Sequence, residues 1–221
     1  MNYEHLSLKS LPPGTEDFNR GIKIYEDRFD AKMRIDEETI MRMMKSTEQD
    51  VKLITYGFYL DDQIIGFVLL SLYKKENFVY VAYMALDKEI HDYGAAKIFI
   101  RSIGDELSNL CDSFLLFEVE DDKTLERLYR SVGTGMLDFH HLMPVMDLSQ
   151  ERVPARVMCF PKMESLPKDR FLQCLQAFLA YEYAETITPS MSSAEAEAYK
   201  KYLESIYHEV KAILPESIKV L

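Results

Sequence analysis

Tyr83-Met84-Ala85-Leu86-Asp87 runs into His91-Asp92-Tyr93-Gly94-Ala95-Ala96, and the reading of that stretch decides the fold. An apolar strand ends at Leu86 and a short polar turn follows. From Gly94 the apolar residues Ala96, Phe99, Ile100, Ile103, Leu107 and Leu110 share one helical face. Strand, glycine-bearing turn and helix N-terminus in that order bring backbone N–H groups together to face an anion, commonly a phosphate. A single glycine at a helix start is weak support on its own.

The elements on either side add to it. Upstream, Val51 to Leu60, Gln63 to Tyr73 and Phe78 to Leu86 are rich in β-branched and aromatic residues. They are separated by the turns Asp61-Asp62 and Lys74 to Asn77, so an antiparallel meander of three long strands is expected. Before them come a strand from Leu6 to Leu11, a helix capped by Thr15 and running to about Asp27, and a helix near Glu37 to Lys45 after Asp36. Downstream, Ser113 to Glu120 reads as a buried strand, and Lys123 to Ser131 as a short helix closing at Gly133. Strand, helix, strand from Phe78 to Val119 implies a parallel pair with a right-handed crossover. Met136 to Leu148, with Pro144, is expected as an edge strand. Leu148 to Lys168 holds three prolines and is expected as a connection over the surface. Arg170 to Tyr183 reads as an apolar helix. A last helix begins at the capping box Ser192 to Glu195 and carries Tyr199, Leu203, Ile206, Val210 and Ile213 on one stripe. That stripe is expected to pack on the preceding helix, with a homodimer surface as the second reading.

Composition excludes several classes. A net charge of −11 over 221 residues leaves no basic stripe for nucleic acid. The longest apolar run, Ile64 to Tyr73, is too short to span a bilayer, and Met1 to Gly14 has no signal-peptide core. Cys111, Cys159 and Cys174 show neither disulfide-framework nor metal spacing, and a cytoplasmic protein is the expectation. His140-His141 point to opposite faces of a strand, which argues against a shared metal ion. The acidic group Glu118, Glu120, Asp121 and Asp122 reads either as a rim for a cationic substrate or as a solvated loop.

Two motifs give a resemblance. The element order, with His91, two residues, Gly94, Ala95 and Ala96 after one strand and Leu128-Tyr129 then Gly133 after the next, resembles the GNAT superfamily of acyl-CoA N-acyltransferases. It covers residues 1–148. The fold it implies is α+β, a mixed, mostly antiparallel sheet flanked by helices, with 149–221 as a helical C-terminal extension packed on the domain or at a dimer interface. The resemblance also implies acetyl-CoA as co-substrate and a primary amine, on a small molecule or a peptide, as acceptor. The amine would attack the thioester directly in a ternary complex. Met84, Ala85 and Leu86 would pair with the pantetheine arm, with the Met84 amide on the thioester carbonyl. His91, Asp92, Tyr93, Gly94, Ala95, Ala96 and Lys97 would hold the pyrophosphate, Tyr129 would be the general acid, and Glu118 is the candidate base. The sequence departs from the family pattern twice. His91 stands where Arg or Gln is usual, and the strand Phe78 to Met84 carries no acid. A catalytically weak or inactive module that binds CoA or a protein partner is therefore the alternative.

Overall fold

The computed structural model describes residues 3–45, 50–110, 113–146 and 149–221. The first strand, β1 (Leu6–Ser10), leads into helices α1 (Glu16–Arg28) and α2 (Glu37–Lys45). Thr15 caps α1 by accepting the Phe18 N–H at 3.1 Å, and Asp36 takes the Thr39 N–H at 2.7 Å. The meander follows as β2 (Val51–Leu60), β3 (Gln63–Tyr73) and β4 (Phe78–Leu86). Its two turns place Asp61 and Asn77 at positive φ, the backbone region that Asp and Asn tolerate better than most residues. Next come α3 (Tyr93–Leu110), β5 (Leu115–Glu120) and α4 (Lys123–Arg130).

The expected parallel crossover is present, and its shortness matters. β4 and β5 are paired only at Val79↔Leu115 and Tyr80↔Leu116. Beyond that point the two strands part and leave a cleft in the middle of the sheet. Core clusters lie on the two faces of the sheet. The helix α3 covers one, where Phe99 stacks on Phe58 at 4.6 Å; α1, α2 and the C-terminal helices cover the other. Burial on both faces explains why β3 reads as a continuous apolar run. The side chain of Leu107, expected on the buried face of α3, lies outside the described residues, as does Cys111.

Past Gly133 the expectations need correcting. The single edge strand expected over 136–148 is two short strands, β6 (Gly135–Met136) and β7 (His141–Pro144). The expected surface connection holds β8 (Arg152–Phe160), which lies antiparallel to β5 and also pairs with β6 and β7. Pro154 concealed it. That proline sits one residue past the last β5 pairing, Glu120↔Ala155, where no ladder donor to β5 is required. The sheet order is therefore β1-β2-β3-β4-β5-β8-β6, with β7 also on β8. The chain continues through β9 (Ser165–Pro167), α5 (Lys168–Phe178), α6 (Ser193–Ile213) and β10 (Ser217–Lys219), which pairs with β9.

The helix expected over 170–183 keeps α geometry only to Phe178, and Leu179–Glu185 widens into a π-helical turn. Helix α6 has the expected capping box at Ser192 and Glu195. Its stripe packs on α5 and the π turn through Tyr199, Leu203, Ile206 and Val210, but Ile213 is 60% exposed. Leu214, whose N–H closes the helix on the Val210 carbonyl, takes the buried place instead.

Candidate active site

At the mouth of the cleft, β4 carries a bulge. Leu69 pairs with Tyr83 and Leu70 with Val81, so Ala82 is the extra residue. The bulge changes which backbone groups face the cleft. The Val79 N–H donates to Phe114 O at 3.1 Å, toward β5, whereas the Asp87 N–H, of the same parity, donates to Ile65 O at 2.8 Å, toward β3. Strand alternation then turns the N–H groups of Met84 and Leu86 away from β3 and into the cleft. An extended ligand arm has a free strand edge to pair with there.

The helix N-terminus beyond it is already capped. The Asp92 carboxylate accepts from the Gly94 N–H at 2.7 Å and the Ala95 N–H at 3.2 Å, and the Ala96 N–H donates to the Asp92 carbonyl at 3.1 Å. A residue expected to help hold a pyrophosphate thus puts its own negative charge on two of the amides concerned. His91 and Tyr93 are exposed and Lys97 is half-buried. Asp87 fixes the preceding turn through an ion pair with Arg20 at 2.7 Å.

Tyr129 lies across the cleft from β4. Met84, Ala96 and Tyr129 all pack on the small cluster of Ile100, Leu128 and Val132, and the Tyr129 ring meets Phe117 at 4.9 Å. Burial pushes its hydroxyl well above its ordinary pKa of 10, so it stays protonated at neutral pH. Met84 and Tyr129, separate in sequence, thus face one space.

The interior end of the cleft is built around Glu118 on β5. Its carboxylate meets His141 Nε2 through one oxygen and accepts from Tyr80 Oη at 2.6 Å and Tyr183 Oη at 3.1 Å through the other. Burial by itself raises the Glu118 pKa. The charge and hydrogen bond of His141, with the two tyrosine hydroxyls, outweigh it and hold the carboxyl below its ordinary 4.5. Glu118 faces the cleft, as expected of a base, yet both its oxygens are committed and its affinity for a proton is reduced.

The rest of the acidic group is dispersed. Glu120, two residues past Glu118 and on the same face of β5, also lines the cleft but is exposed at the strand end; Asp121 pairs with Arg156 at 3.0 Å; Asp122 caps α4 by accepting the Thr124 and Leu125 N–H groups. His140, which precedes β7, is exposed and His141, its first residue, is buried; the described residues contain no group of side chains arranged to hold a metal ion. Burial raises the thiols of Cys159 and Cys174, that of Cys174 to about 12, which leaves them unreactive.

Sequence reasoning missed the other buried carboxyl of the cleft, Glu182, which the π turn carries. It is 8% exposed, lines the cleft, and accepts from Tyr73 Oη at 2.8 Å. Burial raises it; Ser71 and Tyr73 lower it; the nearby Glu118 raises it again, and the carboxyl is pushed up to about 7. One sign was available: Glu182 is the only charged residue between Arg170 and Glu185. The cleft, about 350 Å³ in volume, runs from Met84 and Tyr129 to these carboxylates, with Phe29, Met33, Ile35, Met143 and Met146 as an apolar wall.

Comparison with known proteins agrees with this architecture. A GNAT-family acetyltransferase structure from Bacteroides thetaiotaomicron, so described at the level of family, superposes with a TM-score of 0.63 at 14% identity, covering 80% of this chain and 98% of that one. The ribosomal-protein-S18-alanine N-acetyltransferase of Escherichia coli gives 0.52 at 16% identity, covering 70% and 92%. Mutant forms of the spermidine/spermine N-acetyltransferase of Vibrio cholerae give 0.54 at 14%, covering 71% and 93%. No family model and no curated protein matches the sequence. The chain therefore has the GNAT acetyltransferase fold, α+β with a mostly antiparallel sheet flanked by helices. Among the described residues no helix is long and apolar enough to cross a membrane.

Proposed function

We propose that the protein is an N-acetyltransferase that moves an acetyl group from acetyl-CoA to a primary amine by direct attack in a ternary complex. The observation that carries this reading is the cleft where β4 and β5 part, with a donor-bearing strand edge and a protonated tyrosine at one end and buried carboxylates at the other. In this reading the edge at Met84 to Leu86 pairs with the amide groups of a pantetheine arm, and the Met84 N–H polarises the thioester carbonyl. Tyr129 supplies the proton for the departing sulfur. Holding both reactants in one cleft supplies much of the rate.

The acceptor end suits a cationic amine on a partly apolar body: Glu118 and Glu182 lie deep, Glu120 lies exposed nearer solvent, and Phe29, Met33, Ile35, Met143 and Met146 form an apolar wall. The structure neighbours named for spermidine and for a ribosomal protein act on amines, which agrees with the reaction class.

One observation favours a second reading. Asp92 on the Gly94 and Ala95 amides, with His91 in place of Arg or Gln, suits a module with weak or no CoA chemistry. Calorimetric titration with acetyl-CoA and with desulfo-CoA, followed by thiol release in the presence of amines, separates the two. Micromolar binding with amine-dependent thiol release supports the enzyme. A folded protein that binds neither ligand up to millimolar supports the module.

A further inference from the structure

The proposed reaction requires a base, because a primary amine arrives as an ammonium ion at neutral pH. β4 offers no acid, and Glu118 holds three donors on its two oxygens. The cleft contains another carboxyl, presented by the widest turn of the C-terminal helices. A π turn sets its side chains off the regular α spacing, and such turns recur at functional sites. Here it brings Glu182 between β3, which offers Tyr73, and the cleft itself.

We propose that Glu182 is the catalytic base of this cleft and removes a proton from the acceptor ammonium; the proposal rests on the N-acetyltransferase reading. The carboxylate of Glu182 takes one proton from R–NH3+, leaving a lone pair on nitrogen. That pair forms the new C–N bond at the thioester carbonyl as the C–S bond breaks. Tyr129 gives its proton to the leaving sulfur, and the second proton shed by nitrogen restores the Tyr129 hydroxyl. Glu182 then releases its proton to solvent. The balance is amide, CoA thiol and one proton from ammonium and thioester.

The surroundings divide the labour between two carboxyls. Glu118, held by His141, Tyr80 and Tyr183, remains ionised and attracts the ammonium. Glu182 faces Ser71 and Tyr73 from β3 and feels Tyr80, Tyr83 and Glu118 from β4 and β5; it titrates at about 7, where a base is most effective near neutral pH. A pair of acids driven apart in this way is the arrangement expected of one fixed charge and one proton carrier.

The test uses the full chain with acetyl-CoA and four acceptor probes: ethylamine, benzylamine, spermidine and an alanine-initiated peptide. Glu182→Gln, which keeps an acceptor for Tyr73, is expected to lower kcat by about 100-fold or more and leave the acetyl-CoA Kd unchanged. It should also abolish the acid limb of the kcat/KM profile. Tyr73→Phe removes a bond that favours the ionised carboxyl, so it should move that limb to higher pH. Infrared difference spectra without any substrate should show a carboxylic-acid band that disappears as pH rises through the limb, and that E182Q lacks. Turnover by E182Q close to wild type with the limb in place overturns the assignment of Glu182 alone. Acetyl-CoA binding without acetylation of any probe by wild type overturns the N-acetyltransferase reading, and this assignment with it.

Discussion

The two ends of the cleft are built on different principles. The mouth is local: Asp87, Asp92, Gly94 and Ala95 are near neighbours in the chain and satisfy one another through turn and cap bonds in contact with solvent. The interior end is assembled from afar. Glu118 reaches His141 across 23 positions and Tyr183 across 65, and Tyr73 reaches Glu182 across 109. Solvent can replace a lost partner at the mouth but not in the interior. The energetic consequences of mutation should therefore rise steeply from one end to the other.

The largest effect should come from Glu118→Ala. It removes a buried carboxylate from His141 and leaves two tyrosine hydroxyls without their acceptor. Breaking a buried pair in this way costs about 3–5 kcal/mol. Urea unfolding at pH 7 should show that loss, and a loss below about 1 kcal/mol, the usual range of an exposed pair, would remove the contrast with the mouth.

Glu182→Gln should move stability in the opposite direction. A carboxyl raised from 4.5 to about 7 by folding binds more protons in the native state, so it withdraws stability as pH climbs through that window. The displacement corresponds to about 3 kcal/mol at pH above both values. Burying the Gln amide offsets part of it, leaving a net gain on the order of 2 kcal/mol near pH 8. Glu118 behaves conversely: its folded pKa lies below 4.5, so its contribution is complete above that value and disappears as pH falls through the folded one. The two glutamates together should give wild type a stability maximum near the ordinary carboxylate pKa. Thermal unfolding against pH would show it, and E182Q should lose the decline on the alkaline side.

What the sequence disclosed follows the same division. The capping residues Thr15, Asp36 and Ser192, the meander turns and the helix face of α3 all depend on neighbours a few positions away, and they read directly. Met84 and Tyr129 were legible through motif order, and the structure brings them to one cluster. His141 and Glu182 were not, because a lone His on a strand or a lone Glu in an apolar helix carries no mark of what lies opposite. β8 was concealed by Pro154, whose tolerance in the strand depends on where β5 ends. The π turn was hidden because its apolar composition is that of the α-helix it continues.

Tyr129, across the cleft mouth from β4, is partly buried, with its ring against Phe117 and the cluster of Ile100, Leu128 and Val132. Tyr129→Phe should reduce turnover at least tenfold, about 1.4 kcal/mol in activation free energy, while acetyl-CoA affinity and unfolding midpoint remain near wild type. Steady-state kinetics beside calorimetry gives the answer. Unchanged kcat would mean that the sulfur leaves without this proton.

The smallest effect on stability, and the sharpest test of the mouth, belongs to Asp92. Its side chain caps α3, so Asp92→Ala should cost about 1 kcal/mol. The same carboxylate lies on the amides that a pyrophosphate would need, and like charges at a helix N-terminus repel. Affinity for acetyl-CoA should therefore rise as stability falls, by about five- to tenfold at low salt, with a smaller gain at high salt because exposed charges are screened. Asp92→Asn separates the contributions: it keeps a capping oxygen and removes the charge, so it should retain stability and still bind acetyl-CoA more tightly. If both variants bind like wild type, the pyrophosphate does not sit on the Gly94 and Ala95 amides. The strand edge at Met84 to Leu86 would then be the principal hold on the ligand, and the mouth a structural cap.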